Sequence, residues 1–184
     1  MSQNVCLSGG ADGADKAWGD TAEKHGHVVI DYTYVGGNGS RHNPRRFVLT
    51  DEELLEADPW LLKANLRLKR KFPTESRDVN NLLRRNFFQV KRSTAVYAVA
   101  GLDGSSVFGG TAWAVEMFKL LNPESTSIYV YDESRRSWFQ WNLLGWSAVT
   151  RPPAPSGIWT GIGSRVLDDC GMNAIASVFV ALGD

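Results

Sequence analysis

The 184-residue chain is long enough for one domain with a sizeable core and too short for two comfortable ones. Its 43% hydrophobic and 22% charged residues are those of an ordinary globular protein. A formal net charge of +0 leaves no global field to draw in nucleic acid or an anionic membrane, although a local basic patch stays open.

Cys6 and Cys170 are too few for a disulfide framework and lack zinc-site spacing. Two small buried thiols in a reducing compartment are expected, with no metal and no organic cofactor. The opening MSQNVCLSGG lacks the pattern of a signal peptide, and no run approaches the roughly 18 apolar residues of a membrane span. These features predict a cytoplasmic protein with no membrane partner.

Residues 4–7 (NVCL) form a short apolar run that stops at Ser8-Gly9-Gly10. Ala14, Ala17, Trp18, Ala22 and His25 then recur at helical spacing, Gly26 ends the helix, and HVVIDY (27–32) is strand-like. Together they read as a βαβ unit. Residues 33–50, rich in glycine and arginine and without a period, predict a long loop of functional interest. Thr50 with Glu53 makes a capping box, and Pro59 opens a second helix over about 59–71 that carries Lys63, Arg67, Lys69, Arg70 and Lys71. A solvated face accounts for most of that charge.

A further helix is predicted over 77–91, with Val79, Leu83, Phe87 and Val90 on one face and Leu82 beside it. TAVYAVA (94–100) fits a parallel strand buried on both sides. GLDGSSVFGG (101–110) reads as a glycine loop before a helix from Thr111 to Leu121. SIYVY (127–131) and SWFQWN (137–142) read as strands about a polar turn, a small added hairpin, and TRPPAPSG (150–157) as a rigid connector. IWTGI (158–162) is a last strand, followed by a helix with Val166, Leu167, Cys170, Ile175, Val178, Phe179 and Leu182 on one face. That unit has no strand after it, and the first strand has no element before it. The 158–182 unit should therefore pack beside 4–25, within a single domain spanning 1–184. The fold class is α/β: one Rossmann-like domain with a mainly parallel sheet flanked by helices.

Three predicted strands end in glycine turns before helices: Ser8 to Asp15, Gly109-Gly110-Thr111, and Gly161 to Arg165. A parallel sheet puts all three at one edge, where α/β ligands bind. Glycine admits a ligand close to the backbone, and a helix N-terminus offers free N–H groups, so phosphate is the natural guest. Arg165 adds a fork of donors. Neither GxGxxG with a distal acid nor GxxxxGK[ST] is present.

SGGADGADKAW, RRNFFQV before TAVYAVA, FGGTAWAVE and TGIGSRVL resemble the SLOG superfamily. That group includes the DNA-processing protein A fold, the Lonely Guy enzymes, and small YspA-like and phage proteins. The resemblance covers most of the chain. It implies a Rossmann-like nucleotide-binding fold. Its usual order places the GSR strand before the SGGA strand, which is reversed here. The reversal implies a circular permutation, with exchange of the unit between two chains as the alternative. Carried over by motif, ligand-binding residues would be Ser8, Gly9, Gly10, Asp12 and Asp15, then Arg85 and Asn86, then Gly109, Gly110 and Thr111, and finally Gly163, Ser164 and Arg165. A homodimer is also implied.

Lonely Guy enzymes cleave the base from ribose phosphate with a motif resembling PGGxGTxxE. Here Glu116 lies five residues after Thr111 rather than three, which turns it by roughly 200° on a helix. The catalytic candidates are Glu116, Asp12 and Asp15, although Glu116 reads first as a helix-surface residue. Of the three histidines, His42 in the basic loop is the better ligand candidate. Trp18, Trp113 and Trp159 fall beside the glycine motifs. They suit either core packing or base stacking. Trp138, Trp141 and Trp146 suggest an exposed edge or a self-association surface. The preferred reading is a binding module for a nucleotide-derived, phosphate-bearing ligand, acting as sensor, carrier or sequestering protein. The alternatives are a nucleoside 5'-phosphate glycohydrolase and, less favoured because of the neutral charge, a single-stranded DNA-binding protein.

Overall fold

The computed structural model describes residues 3–37 and 39–180. Val5–Ser8 (β1) runs into the glycine turn, and Ala14–Lys24 (α1) follows. α1 buries Ala14, Ala17, Trp18 and Ala22, the face its spacing predicts. Val28–Tyr34 (β2) comes next.

The expected loop over 33–50 is corrected at both ends. β2 continues to Tyr34, and Arg46–Leu49 (β3) pairs with it in parallel, Asp31 opposite Arg46. An edge strand has one neighbour and leaves Phe47 and Val48 exposed, so no burial pattern marks it. Among the described residues the crossover from β2 to β3 has no helix. Buried Arg41 anchors it instead, through Asp20 (2.9 Å), Glu23 (2.6 Å) and Asp31 (3.0 Å). Asn43 also donates to Asp31, at 2.8 Å.

Thr50 and Glu53 form both halves of the capping box on Asp51–Leu55 (α2). Asp58–Leu68 (α3) has Pro59 in its first turn and ends at Lys69 in the left-handed region. Arg77–Val90 (α4) buries Leu83, Phe87 and Val90, while Val79 in its first turn is exposed. Ala95–Val99 (β4) alternates between two cores, Val96 and Ala98 into one, Tyr97 and Val99 into the other. The segment expected as one glycine loop holds a short hairpin, Leu102–Asp103 (β5) with Ser106–Val107 (β6), before Thr111–Leu121 (α5).

Ile128–Asp132 (β7) and Ser137–Trp141 (β8) pair antiparallel as expected, and Trp146–Val149 (β9) adds a third strand. Asn142 shapes the last turn by accepting from the N–H groups of Leu144 and Gly145. Ile158–Gly163 (β10) and Asp169–Phe179 (α6) complete the described chain. Ile175 and Val178 of the predicted face are buried, and Val166 is exposed. Leu182 lies outside the described residues.

The sheet runs β3-β2-β1-β10-β4-β7-β8-β9. It is parallel from β3 to β7 and antiparallel thereafter. The last βα unit does pack beside the first: Val5 faces Ile158, and α6 lies against α1. The chain is thus a Rossmann-like α/β domain with a mostly parallel eight-stranded sheet. α1 and α6 cover one face around Trp18, Trp159 and Ile175. The helices α2 to α5 cover the other around Leu61, Phe87 and Phe118. Among the described residues no helix is long and apolar enough to cross a membrane.

His27 sits at the seam of these terminal units. The indole N–H of Trp159 donates to its Nδ1 at 3.1 Å, and Phe179 packs on the ring. Burial, with the nearby His25, holds the imidazole below its ordinary value of about 6.5. The folded state therefore prefers the neutral ring. This contribution is fully present above about pH 6.5 and is lost as the pH falls through that value toward the lower folded one. Relative to a His27→Gln variant, whose amide oxygen accepts without titrating, the protein should lose stability on acidification. Thermal melts between about pH 5 and 8 check this, and parallel curves for the two proteins would remove His27 as a cause.

Candidate functional site

A cleft of about 380 Å³ opens at the carboxyl edge of the sheet, above the ends of β4 and β10. That is within the size range of small-molecule sites. Its floor is Ala100, Gly101, Ile162 and Gly163. α4 supplies one wall with Leu82, Arg85 and Asn86. The turn after β1 brings Asp12 and Asp15, the turn after β10 brings Ser164 and Arg165, and Phe108 to Thr111 form the remaining side. Ten of the residues singled out from the sequence thus line one space. Ser8, Gly9 and Gly10 stand behind it, where the Ser8 hydroxyl donates to the carbonyl of Asp15 at 2.9 Å and accepts from the N–H of Gly10.

The buried pair Asp15–Arg85 organises the floor. The Arg85 Nη1 donates to Asp15 at 2.9 Å and to Gln89 at 2.8 Å. The other Asp15 oxygen accepts from the N–H of Gly163 at 3.2 Å. Burial pushes the Asp15 carboxyl above the usual range, against the opposing pull of Arg85 and the backbone donors. Gly9 must lack a side chain, since a Cβ there would fall on the guanidinium of Arg85. The Arg85 Nε and Nη2 have no partner among the described residues, although the side chain is only 6% exposed. Arg85 therefore presents unused donors beside the cleft.

The three glycine turns differ in what they leave open. At α1 the first N–H, of Ala14, is taken by the carbonyl of Ser164 at 2.9 Å. At α6 the Asp168 side chain caps the N–H of Gly171 at 2.7 Å, and Asp169 follows in the first turn. Like α1, α5 starts without a side-chain cap, at Gly110, but no carbonyl among the described residues takes its first N–H groups. The N–H groups of Gly110, Thr111 and Ala112 have no partner among the described residues. Gly109 precedes them at φ +67°, a conformation that favours glycine. Arg70 holds this lip by donating to the carbonyl of Gly109 at 2.7 Å, and Asn86 reaches the carbonyl of Gly110 at 3.4 Å. Arg165 is exposed and forms no ion pair among the described residues.

Glu116 does not join this group. It points into a separate depression, paired with Lys119 at 2.9 Å and facing Arg67 at 3.7 Å. Lys119 in turn lies 3.5 Å from the ring centre of Trp141, and burial lowers its pKa. Asp12 is exposed and accepts from the Ser40 hydroxyl. His42 is exposed and does not line the cleft. Trp18, Trp113 and Trp159 are core residues and offer no face to a base. Trp138 is buried as well, and Trp141 pairs with Trp146 across the β8–β9 hairpin. Sequence reasoning missed Phe108, Arg70 and Gln89. Of these only Phe108 carried a signal, as a large ring beside a glycine pair in a predicted loop.

Comparison of the chain with known protein families, with curated proteins and with solved structures gives no match.

Replacing Arg85 with Met would leave the Asp15 carboxylate buried and unpaired, at a cost of about 3–5 kcal/mol. Asp15→Asn in the same chain should recover part of that loss. Urea unfolding of the three proteins measures both effects. An Arg85→Met protein as stable as the parent would show that the pair does not hold the floor.

Proposed function

We propose that this protein binds a phosphate-bearing, nucleotide-derived ligand in the cleft, as a sensor, carrier or sequestering protein. The observation that carries the reading is the uncapped N-terminus of α5, open beside the unused donors of Arg85. An anion there meets free N–H groups, the positive end of the helix and a desolvated guanidinium together. Arg165 at the rim adds a second cation without an intramolecular partner among the described residues. The SLOG resemblance supports the same ligand class. It also supports a cytoplasmic, self-associating protein whose chain order is a circular permutation of that family.

The binding reading is preferred to the glycohydrolase because of the carboxylates. Glu116 faces another depression, and Asp15 is consumed by Arg85 and Gly163. Only Asp12 at the rim keeps free capacity. The DNA-binding reading is less favoured, since Arg67 faces Glu116, Lys71 pairs with Glu75, and Arg41 is buried among carboxylates.

Native mass spectrometry with AMP, ADP-ribose, NAD, cyclic ADP-ribose and cyclic dinucleotides tests the proposal. At least one intact ligand should be retained, and Arg165→Ala should weaken it by roughly 10- to 150-fold, the worth of a charged hydrogen bond. Release of free base and ribose phosphate would replace binding with glycohydrolysis and direct attention to Asp12. Absence of binding to every member would overturn the proposal.

A further inference from the structure

Phe108 differs from the tryptophans that stand beside the other two glycine turns. Trp18 and Trp159 are fully buried, whereas Phe108 is 54% exposed. Yet its backbone is firmly held. Its N–H donates to the carbonyl of Gly101 at 2.9 Å. Arg70 takes the carbonyls on either side, Val107 at 3.3 Å and Gly109 at 2.7 Å. An apolar ring is thus fixed in place and left uncovered. Gly101 makes room for it, since a Cβ there would stand 2.6 Å from the Phe108 Cδ2.

The ring lines the cleft, whose apolar lining also includes Leu82, Ala100 and Ile162. The anion-seeking part begins two residues later, at the N–H of Gly110. Phe108 and Thr111 are three residues apart, which is at most about 10 Å along the chain. A flat partner laid on the exposed face would remove apolar surface from water and gain the stacking energy of two π systems.

We infer that Phe108 is the stacking platform for the base of the ligand, an inference that rests on the nucleotide reading of the cleft. The ligand class narrows to molecules with a planar heteroaromatic ring within about 10 Å of a phosphate, which excludes simple sugar phosphates as the preferred guests. A hydrocarbon face presents no donors or acceptors, so the platform itself accepts any base and favours the larger purines by area.

Titration calorimetry of AMP and ribose 5-phosphate against the parent, Phe108→Ala and Phe108→Trp separates the possibilities. Phe108→Ala should weaken AMP by roughly 5- to 150-fold and leave ribose 5-phosphate unchanged. Phe108→Trp should retain AMP, and its added indole emission should change with AMP but not with ribose 5-phosphate. Because Phe108 is largely exposed, thermal melts should show all three proteins equally folded. If the parent binds AMP and Phe108→Ala leaves that affinity unchanged, or weakens both ligands alike, the platform is overturned while the nucleotide reading stands. If the parent binds neither compound nor any other nucleotide of the panel, both fall together.

Discussion

The ion pair between Asp15 and Arg85 is the contact on which the site depends. The two residues come from helices on opposite faces of the sheet and meet above the ends of its central strands. Two charges taken out of water regain their hydration energy only at close contact with satisfied remaining lone pairs. The surroundings meet that demand on the Asp15 side and leave the Nε and Nη2 of Arg85 open. Gly9 gives up a side chain, Gly163 supplies an N–H, and Gln89 supplies an oxygen. The cleft floor is therefore set by electrostatic necessity, and the two helical layers are locked together at the edge where a ligand would enter.

The three glycine turns look alike in composition and divide in role. Those after β1 and β10 are spent on each other: Gly13 lies against the backbone of Ser164 and Arg165, and Ala14 bonds across to Ser164. The turn before α5 is held through its carbonyls by Arg70 and Asn86, and its N–H groups at Gly110, Thr111 and Ala112 are left unbonded among the described residues, beside the cleft. A glycine chosen for close packing and a glycine chosen for a ligand are the same letter. The sequence therefore locates all three turns at one edge, and only the geometry tells which of them is open.

Much of the fold was legible for simple reasons. β4 and β10 are continuous apolar runs because both their faces are covered, and α5 begins at Thr111 where the glycine pair ends. The placing of the last strand beside the first followed from two orphan elements. The elements that escaped notice are those without a burial pattern: β3 has one neighbour, β5 and β6 have two residues each, and β9 is half-exposed. Within the site, ten residues named from the sequence do share one cleft. Glu116, a catalytic candidate from the sequence, stands apart from them, paired with Lys119. The tryptophans were ambiguous because a core and a stacking site want the same ring, and only burial distinguishes Trp18 from Phe108.

The position of β10 has a consequence for how the chain is made. It lies between β1 and β4, so the middle of the sheet is filled by a strand that follows the other strands of the described residues in sequence. While the ribosome is still producing residues 5–149, the inner edges of β1 and β4 have no neighbour, and the β1–β2–β3 block has no hydrogen-bonded link to the β4–β7–β8–β9 block. Uncovered edges of this kind recruit strands from other chains. The TRPPAPSG segment leads the chain to that place, and residues 158–163 satisfy the facing edges of β1 and β4 at once, joining the two half-sheets through one strand.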